Sequence, residues 1–216
     1  MLGWGRAFTK CADEPLWVLA DIVGEPIKED ADYAGVRVSF VVTLQNAKVS
    51  MQIDTGFGDV ITPSATATDY PVLLDFPAPR LLCYPRETVV AEKYEAMTKL
   101  GLFNSRMKDF YDVWHLSRQF EFDGALLTQA IQRTFAHRKT AIVALPEALT
   151  PAFGSHSAHQ TQWRAFVRKA NLNDVPKELQ SVIDALILFL HPMAAALERQ
   201  SSFTDKWIPP GPWQAI

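Results

Sequence analysis

Four charged residues between positions 87 and 116 have the types and spacing of a phosphate-binding site. Arg106, Asp109 and Asp112 recur at intervals of three, which in a helix places their side chains on neighbouring turns of one face. Lys93 interrupts the apolar stripe predicted for the preceding helix, which consists of Val89, Ala96, Met97 and Leu100. Such a set can hold a polyphosphate and its metal ion, because cations bind phosphate oxygens and carboxylates bind metals. The alternative is an amphipathic helix with a snorkelling lysine and a surface ion pair.

Asp54 is a further candidate carboxylate, at the end of a predicted strand. Residues 49–54 alternate apolar and polar side chains, which is the pattern of a half-buried strand. Gly56 and Gly58 follow in a turn where a ligand could approach the backbone closely, and loops of this kind often carry metal ligands. The alternative is an aspartate that caps the turn through its own side chain, which explains Asp59 better than Asp54.

The elements that must position these residues are a helix, two strands and then a series of helices. Residues 12–23 favour a helix that ends near Gly24 and Pro26. Segments 36–43 and 48–54 are predicted strands of an antiparallel hairpin, joined by the turn 44–47. Two short extended pieces, 73–76 and 80–83, lie among prolines.

Helical periodicity dominates from residue 86 onward. It predicts helices over 86–100, 105–119, 123–136, 159–170 and 175–190, the last bending or stopping at His191-Pro192. We interpret His191 as a core or capping residue, since no second histidine or cysteine stands at metal-binding spacing. The link 140–158 contains Pro146, Pro151 and Gly154, which predicts a boundary or a mobile loop. The tail 201–216 is either disordered or docks its aromatic side chains on a neighbour.

Composition and charge exclude several classes of protein. The chain has 216 residues, 48% of them hydrophobic and 21% charged, which is ordinary for a globular fold. A net charge of −3 gives no general attraction to nucleic acid. Any RNA contact must therefore use a local cluster of basic residues. The alternative is that each such cluster is an ordinary solvated face of a helix. The candidates are Arg133, His137, Arg138 and Lys139, and separately Arg164, Arg168 and Lys169.

The remaining compositional signals predict a cytoplasmic protein without a membrane segment. Cys11 and Cys83 are far apart and form no metal-binding motif, which favours reduced thiols. Residues 1–20 contain four charges and no continuous apolar run, so we expect no signal peptide there. The apolar stretch 182–197 is interrupted by Asp184, His191 and Pro192 and is too short to span a bilayer.

Four segments carry a resemblance to a known family, and a looser match continues at 162–170. They read YAGVRVSF at 33–40, MQIDTGFGDVITP at 51–63, LLCYPRETVVAEKYEAM at 81–97 and NSRMKDFYDVWHLSRQF at 104–120. In these segments the chain resembles the AbiEii/AbiGii group of nucleotidyltransferases, the toxin half of type IV toxin–antitoxin pairs. The resemblance implies an α+β fold: a polymerase-β-like core with a small mixed or antiparallel sheet, followed by a helical C-terminal half. We expect the partial core at 1–84, the helical half at 85–200 and the tail at 201–216.

The resemblance also implies the chemistry and the roles of individual residues. Such enzymes transfer a nucleoside monophosphate from an NTP to an acceptor, which can be tRNA or a protein, with Mg²⁺ as the metal. Lys93 and Arg106 would bind the triphosphate, Asp54 would be a metal-binding carboxylate, and Asp109 would orient a cation or contact the metal or the acceptor. Asp112 is a weaker candidate for the same work as Asp109. A cognate antitoxin protein is the implied partner.

One departure from the family concerns the metal-binding carboxylates. The family carries a Gly-containing helix start followed by a strand with Asp-x-Asp, whereas the Asp-x-Asp of this chain, at 30–32, lies in a polar run. We therefore expect a family member that lacks its N-terminal segment, binds Mg-NTP weakly, if at all, and transfers no nucleotide detectably. The alternative function is a non-catalytic remnant that binds an antitoxin or tRNA. An exposed sheet edge in the shortened core would favour homo-oligomers.

A nucleotide site requires residues that are distant in sequence to meet. We expect Asp54, Lys93 and Asp109 to come within about 10 Å of one another around an open cleft, since ligand sites gather a few polar groups in one concavity.

Overall fold

The chain folds as two compact units, Met1–Asp59 and Val60–Ile216. The computed structural model describes residues 17–27, 35–44, 47–75 and 77–215. Its first unit holds an antiparallel sheet and its second unit is mainly helical, so the predicted α+β class is confirmed. The domain boundary expected at residues 84–85 falls inside the second unit, and that division stays a prediction.

The first unit contains a three-stranded antiparallel sheet in the order β1-β2-β3. Its strands are β1, Trp17–Ile27, β2, Gly35–Leu44, and β3, Ala47–Gly56. The predicted hairpin of β2 and β3 is confirmed, with Phe40 opposite Met51 and Arg37 opposite Asp54. Residues directly opposite share a face, so each face of the hairpin is fixed by this register.

The helix predicted over 12–23 is wrong where the structure describes it. Residues 17–23 belong to strand β1, whose register with β2 shifts between Leu19 and Val23; residues 12–16 lie outside the described part. The segment is rich in β-branched residues, which favour a pleated surface, and hydrogen bonding to β2 selects the strand. Pro26, which suggested the end of a helix, lies within an outer strand of this sheet, where a proline is tolerated.

The second unit begins with a two-stranded antiparallel sheet. Its strands are β4, Thr66–Asp69, and β5, Arg80–Cys83. The extended piece predicted at 80–83 is confirmed. The piece at 73–76 is wrong, because residues 73–75 form bends and residue 76 lies outside the described residues. Strand β4 has the sequence TATD, which lacks apolar alternation and so gave no signal.

The predicted helices from residue 86 onward are confirmed, with differences at their ends. The structure has α1, Arg86–Leu100, α2, Met107–Gln119, α3, Gly124–His137, α4, Pro151–Ser155, α5, Ser157–Lys169, and α6, Leu179–Glu198. Apolar side chains from all six helices form one core.

Helix α6 does not stop at His191-Pro192 but continues to Glu198. Pro192 cannot donate the helical hydrogen bond of its position, which costs stability. Met193 and Ala194 beyond it are fully buried, and this packing outweighs the loss. His191 donates through its Nδ1–H to the carbonyl oxygen of Ala144 at 3.0 Å, a structural contact that agrees with its predicted role.

The link 140–158, predicted as a boundary or mobile loop, is instead part of the core. It contains a 3₁₀ turn, Glu147–Leu149, and helix α4, and it buries Leu149 and Phe153. Pro151 lies in the first turn of α4, where a proline needs no hydrogen-bond partner, and Thr150 caps that helix by accepting from the Phe153 N–H. The prolines therefore begin a helix here rather than mark a flexible segment.

Residues 201–215 pack on the helical core of their own chain, so the disordered alternative for the tail is wrong. Strands β6, Phe122–Asp123, β7, Lys206–Trp207, and β8, Trp213–Gln214, form a small antiparallel sheet. The indole N–H of Trp213 donates to the carbonyl oxygen of Phe189 at 2.8 Å.

Among the described residues, α6 alone is long and apolar enough to cross a membrane by length and composition. More than half of its most apolar stretch is buried in the protein, and Val182, Leu186 and Leu190 are fully covered. The apolar composition of α6 is thus accounted for by its position in the core.

Candidate functional site

Helix α1 presents Lys93 at the border of its buried face. The fully buried line of this helix is Val90, Ala91, Tyr94 and Met97. The predicted stripe is therefore displaced: Val89, Ala96 and Leu100 are only half-buried. Since the large side chains Tyr94 and Met97 fill the core, Lys93 lies beside the buried face rather than in its middle, with 20% of its side chain exposed.

Lys93 is held between two aspartates of α2. Its Nζ lies 2.6 Å from Oδ1 of Asp109 and 2.8 Å from Oδ2 of Asp112, and Lys108 Nζ lies 2.5 Å from the same Asp112 oxygen. We call these four residues the lysine–aspartate cluster. The prediction that Asp109 and Asp112 share one face of a helix is confirmed by this geometry.

Among the described residues, hydrogen bonds to carboxylates account for two of the three N–H donors of Lys93. An ammonium has three N–H donors, and the carboxylates of Asp109 and Asp112 take two of them. The two lysines and two aspartates of the cluster have formal charges that sum to zero.

The cluster holds Lys93 in its charged form. Burial lowers the pKa of Lys93, but hydrogen bonds and charge attraction from Asp109 and Asp112 outweigh it, so the pKa is raised above the ordinary lysine value. A raised pKa in the folded state means that the charged lysine stabilises the fold below the unfolded-state pKa, and that this contribution is lost as the pH rises through the folded-state value.

The stabilisation by Lys93 is therefore expected to disappear in alkaline solution. Urea unfolding of the wild type and of Lys93→Met should show a difference in unfolding free energy that is constant at neutral pH and shrinks above the ordinary lysine range. Lys108→Met is the control, since that side chain is 71% exposed and should show a smaller difference. If the difference in unfolding free energy between the wild type and Lys93→Met stays constant or widens at alkaline pH, the raised pKa of Lys93 is contradicted.

Arg106 does not belong to the helical face of Asp109 and Asp112, so that part of the prediction is wrong. Helix α2 begins at Met107, and Arg106 precedes it with a ψ of 66°. The side chain of Asn104 fixes this turn, because its Oδ1 accepts the Arg106 backbone N–H at 2.8 Å. Arg106 is exposed at the N-terminal end of α2, where the helix dipole also favours an anion.

Asp54 lies in the first unit and is bound by an arginine that the sequence interpretation missed. Arg37 Nε and Nη2 donate to the two carboxylate oxygens of Asp54 at 2.8 and 2.9 Å, and the Gln52 side chain adds contacts at 3.1 and 3.2 Å. The hydrogen bond from Arg37 lowers the pKa of Asp54 below its usual value. A metal ion that binds this carboxylate would either share it with Arg37 or displace Arg37.

The register of the hairpin could have revealed this pair. Leu44 is opposite Ala47, and counting outward from that turn places Arg37 opposite Asp54. Of the three residues predicted to converge, Lys93 and Asp109 are in contact in the second unit, while Asp54 belongs to the first. The meeting of all three and the roles assigned to them stay predictions.

A buried glutamate anchors the other side of α1. Glu95 is 2% exposed; its carboxylate lies 3.0 Å from Arg138 Nη1 and accepts from the Thr140 hydroxyl at 2.5 Å. Because Glu95 and Lys93 are two residues apart on a helix, they point to opposite sides. No local pattern predicts this contact, since Arg138 and Thr140 are more than 40 positions away along the chain.

The basic segments predicted as RNA contacts are partly neutralised. Arg138 is bound to Glu95 and lies 3.7 Å from Glu92, so it is a structural cation. Arg164 binds the Glu178 carboxylate at 2.8 Å on the surface. Arg164, Arg168 and Lys177 nevertheless border an open groove of about 380 Å³ between the end of α5 and the start of α6.

No group of three or more histidine, cysteine or acidic side chains within the described ranges is placed to hold a metal ion. The carboxylates of Asp109 and Asp112 both bind Lys93. The Asp-x-Asp at 30–32 lies outside the described residues.

Comparison with known proteins identifies one match. The family model described as nucleotidyl transferase AbiEii toxin, type IV TA system, matches residues 6–185, which is most of the chain. No curated protein and no solved structure matches.

Proposed function

The chain belongs to the AbiEii family of nucleotidyl transferase toxins of type IV toxin–antitoxin systems, and we propose that its lysine–aspartate cluster binds the phosphates of an NTP. The observation that supports this is the position of Lys93 between Asp109 and Asp112, whose carboxylates account for two of its three ammonium N–H donors. A lysine oriented by two carboxylates offers a fixed positive charge to a triphosphate, and phosphoryl transfer depends mainly on such positioning and charge neutralisation.

In this proposal each predicted site residue has a distinct task. Lys93 and the exposed Arg106 bind phosphate oxygens, and Asp109 orients Lys93. Asp54 is a metal-binding carboxylate once Arg37 releases it. Mg²⁺ suits the carboxylate oxygens of these aspartates, which would hold it, and when bound it would supply neutralisation of the phosphate charge.

For the acceptor we propose tRNA, in a cytoplasmic protein whose toxicity an antitoxin restrains. The groove bordered by Arg164, Arg168 and Lys177 supports an RNA contact, because it carries three cations against the single carboxylate of Glu178. Phosphate contacts of this kind would position an RNA without reading its sequence.

Nucleotide transfer is tested by incubating the chain with each α-labelled NTP, Mg²⁺ and total tRNA. We expect Mg-NTP binding without detectable labelling by these 216 residues, because their only Asp-x-Asp lies in a polar run rather than in a predicted strand. Robust labelling of tRNA that Asp54→Ala abolishes would contradict this expectation and establish a complete transferase site. Labelling that persists in Lys93→Met would contradict the assignment of the phosphate site instead.

A non-catalytic binding protein is the second candidate function. It is favoured by the ion pair at Asp54, whose two carboxylate oxygens both accept from Arg37, so that this charge is already neutralised within the chain. Stable tRNA binding in the same incubation, with neither NTP binding nor labelling, would support this function over the transferase.

A further inference from the structure

The segment that leads into helix α2 carries Arg106 and is anchored little by its apolar side chains. It consists of a 3₁₀ turn, Gly101–Phe103, followed by residues 104–106, and we call the whole segment the entry turn. Leu102 and Phe103 are 48% and 93% exposed, so their side chains contribute little to the packing that fixes it. Contacts to its backbone therefore carry much of the anchoring.

His159 of α5 reaches the backbone of the entry turn near its centre. Its Nε2 lies 3.1 Å from the carbonyl oxygen of Leu102, and its Nδ1 lies 3.1 Å from the carbonyl oxygen of Phe153 in α4. His159 is 9% exposed, so water competes little for these contacts. Because a carbonyl oxygen only accepts hydrogen bonds, Nε2 donates to Leu102 in the Nε2–H tautomer or in the imidazolium.

The ring of His159 also reaches α2 through a stack of aromatic side chains. It lies on the ring of Phe153, with centroids 3.8 Å apart, and Phe153 in turn stacks on Phe110 of α2 at 5.3 Å. Phe110 is fully buried and directly follows Asp109 of the lysine–aspartate cluster. His159 thus supports the start of α2 from two directions, through the entry turn and through this stack.

We propose that His159 is a positioning residue for Arg106. It fixes the middle of the entry turn at the Leu102 carbonyl, while the fully buried Asn104 fixes the end by accepting the Arg106 N–H. A fixed backbone reduces the conformational freedom that an arginine side chain loses when it binds a phosphate oxygen. The contact of Arg106 with phosphate rests on the proposed function, whereas the hold of His159 on the entry turn does not.

Amide hydrogen exchange of the ligand-free chain tests the hold on the entry turn. His159→Phe keeps a ring against Phe153 but removes the donor to the Leu102 carbonyl. We expect the Arg106 N–H to exchange about tenfold faster in this variant, the factor that one hydrogen bond contributes to a local opening equilibrium.

Gln160→Met is the matched control, since Gln160 is the next residue of α5 and also binds backbone groups. Its side chain donates to the Gly154 carbonyl at 2.8 Å and accepts from the Leu179 N–H at 3.2 Å, and both partners lie outside the entry turn. This variant should change the exchange of the Arg106 N–H by less than about threefold. Equal acceleration in the two variants, or none in His159→Phe, overturns the inference.

The wild-type chain provides a test that does not depend on the folding of a variant. Nitrogen NMR of the histidine side chains reports which ring nitrogens carry protons. At neutral pH we expect a proton on Nε2 of His159. An unprotonated Nε2 overturns the inference, because the ring then has no donor for the Leu102 carbonyl.

Titration with Mg-NTP tests whether the hold acts through Arg106. We expect His159→Phe to weaken binding about threefold or more in the otherwise wild-type chain and less than about twofold in Arg106→Met, since residues that act through one another are not additive. Equal losses in the two backgrounds overturn the positioning role. If the wild type binds no Mg-NTP, the proposed function fails, and the exchange of the Arg106 N–H still decides whether His159 holds the entry turn.

Discussion

Replacing Lys93 by methionine is expected to lower the affinity for Mg-NTP by about 10- to 100-fold. A hydrogen bond between charged groups contributes about 1.5–3 kcal/mol, and each 1.4 kcal/mol changes a dissociation constant tenfold. Methionine keeps most of the aliphatic length but leaves Asp109 and Asp112 facing the triphosphate without their shared cation. These two carboxylates then repel the triphosphate, and the repulsion adds to the loss of the hydrogen bond between Lys93 and a phosphate oxygen. Equilibrium titration with a fluorescent NTP analogue measures the effect.

Lys108→Met is the matched control for this prediction. It changes the net charge by the same amount in the same cluster, but Lys108 forms its ion pair with Asp112 at the surface and is 71% exposed. We expect less than a threefold change in affinity, because an exposed charge is screened by solvent. Equal losses in the two variants would mean that the net charge of the region, and not the orientation of Lys93, governs NTP binding. Urea unfolding of both variants excludes a loss of fold as the cause.

Replacing Trp207 by alanine is expected to lower the unfolding free energy of the second unit by about 3–5 kcal/mol, the range for large aromatic residues removed from a core. Trp207 is 1% exposed and its indole N–H donates to the carbonyl oxygen of Ser117 at 2.6 Å. Its ring also packs edge-on against Phe189 and Trp213, with centroids 4.8 and 5.4 Å away. The substitution leaves a cavity and an unpaired carbonyl, so the two costs add.

Ile208→Ala is the matched control for the tail. Ile208 is the next residue along the chain and is 37% exposed, so its truncation should change stability by less than about 1 kcal/mol. Trp207→Phe keeps most of the packing and should lose only the indole hydrogen bond and part of the volume. If urea unfolding gave the same small change for Trp207→Ala and Ile208→Ala, the tail would not be part of the cooperative fold.

The sequence by itself determined the elements whose signals are local. The hairpin of β2 and β3 followed from period-two alternation on both sides of a short polar turn, and helices α1 and α2 from the spacing of apolar residues. The same spacing placed Asp109 and Asp112 on one helix face. These predictions succeeded because strand and helix periodicity depend on residues only a few positions apart.

Predictions from local sequence were wrong at three prolines, because proline occurs both at the ends of helices and within other elements. Pro26 suggested the end of a helix and lies in a strand; Pro192 suggested a stop and lies inside α6. Pro151 suggested a loop and begins α4. At Pro26 and Pro192, strand pairing or packing with distant residues outweighs the local preference, and only the tertiary structure shows those partners. Pro151 instead satisfies a local preference for the first turn of a helix that the sequence interpretation did not consider.

The chemistry of the candidate site was decided at the level of tertiary contacts. The sequence supplied Lys93, Asp109 and Asp54 as residue types, but not that two aspartates hold the lysine or that Arg37 holds Asp54. It gave no sign that Glu95 anchors α1 from its other side. Electrostatic interactions depend on distance and burial in space, and both are fixed only when helices and strands from different parts of the chain are packed together.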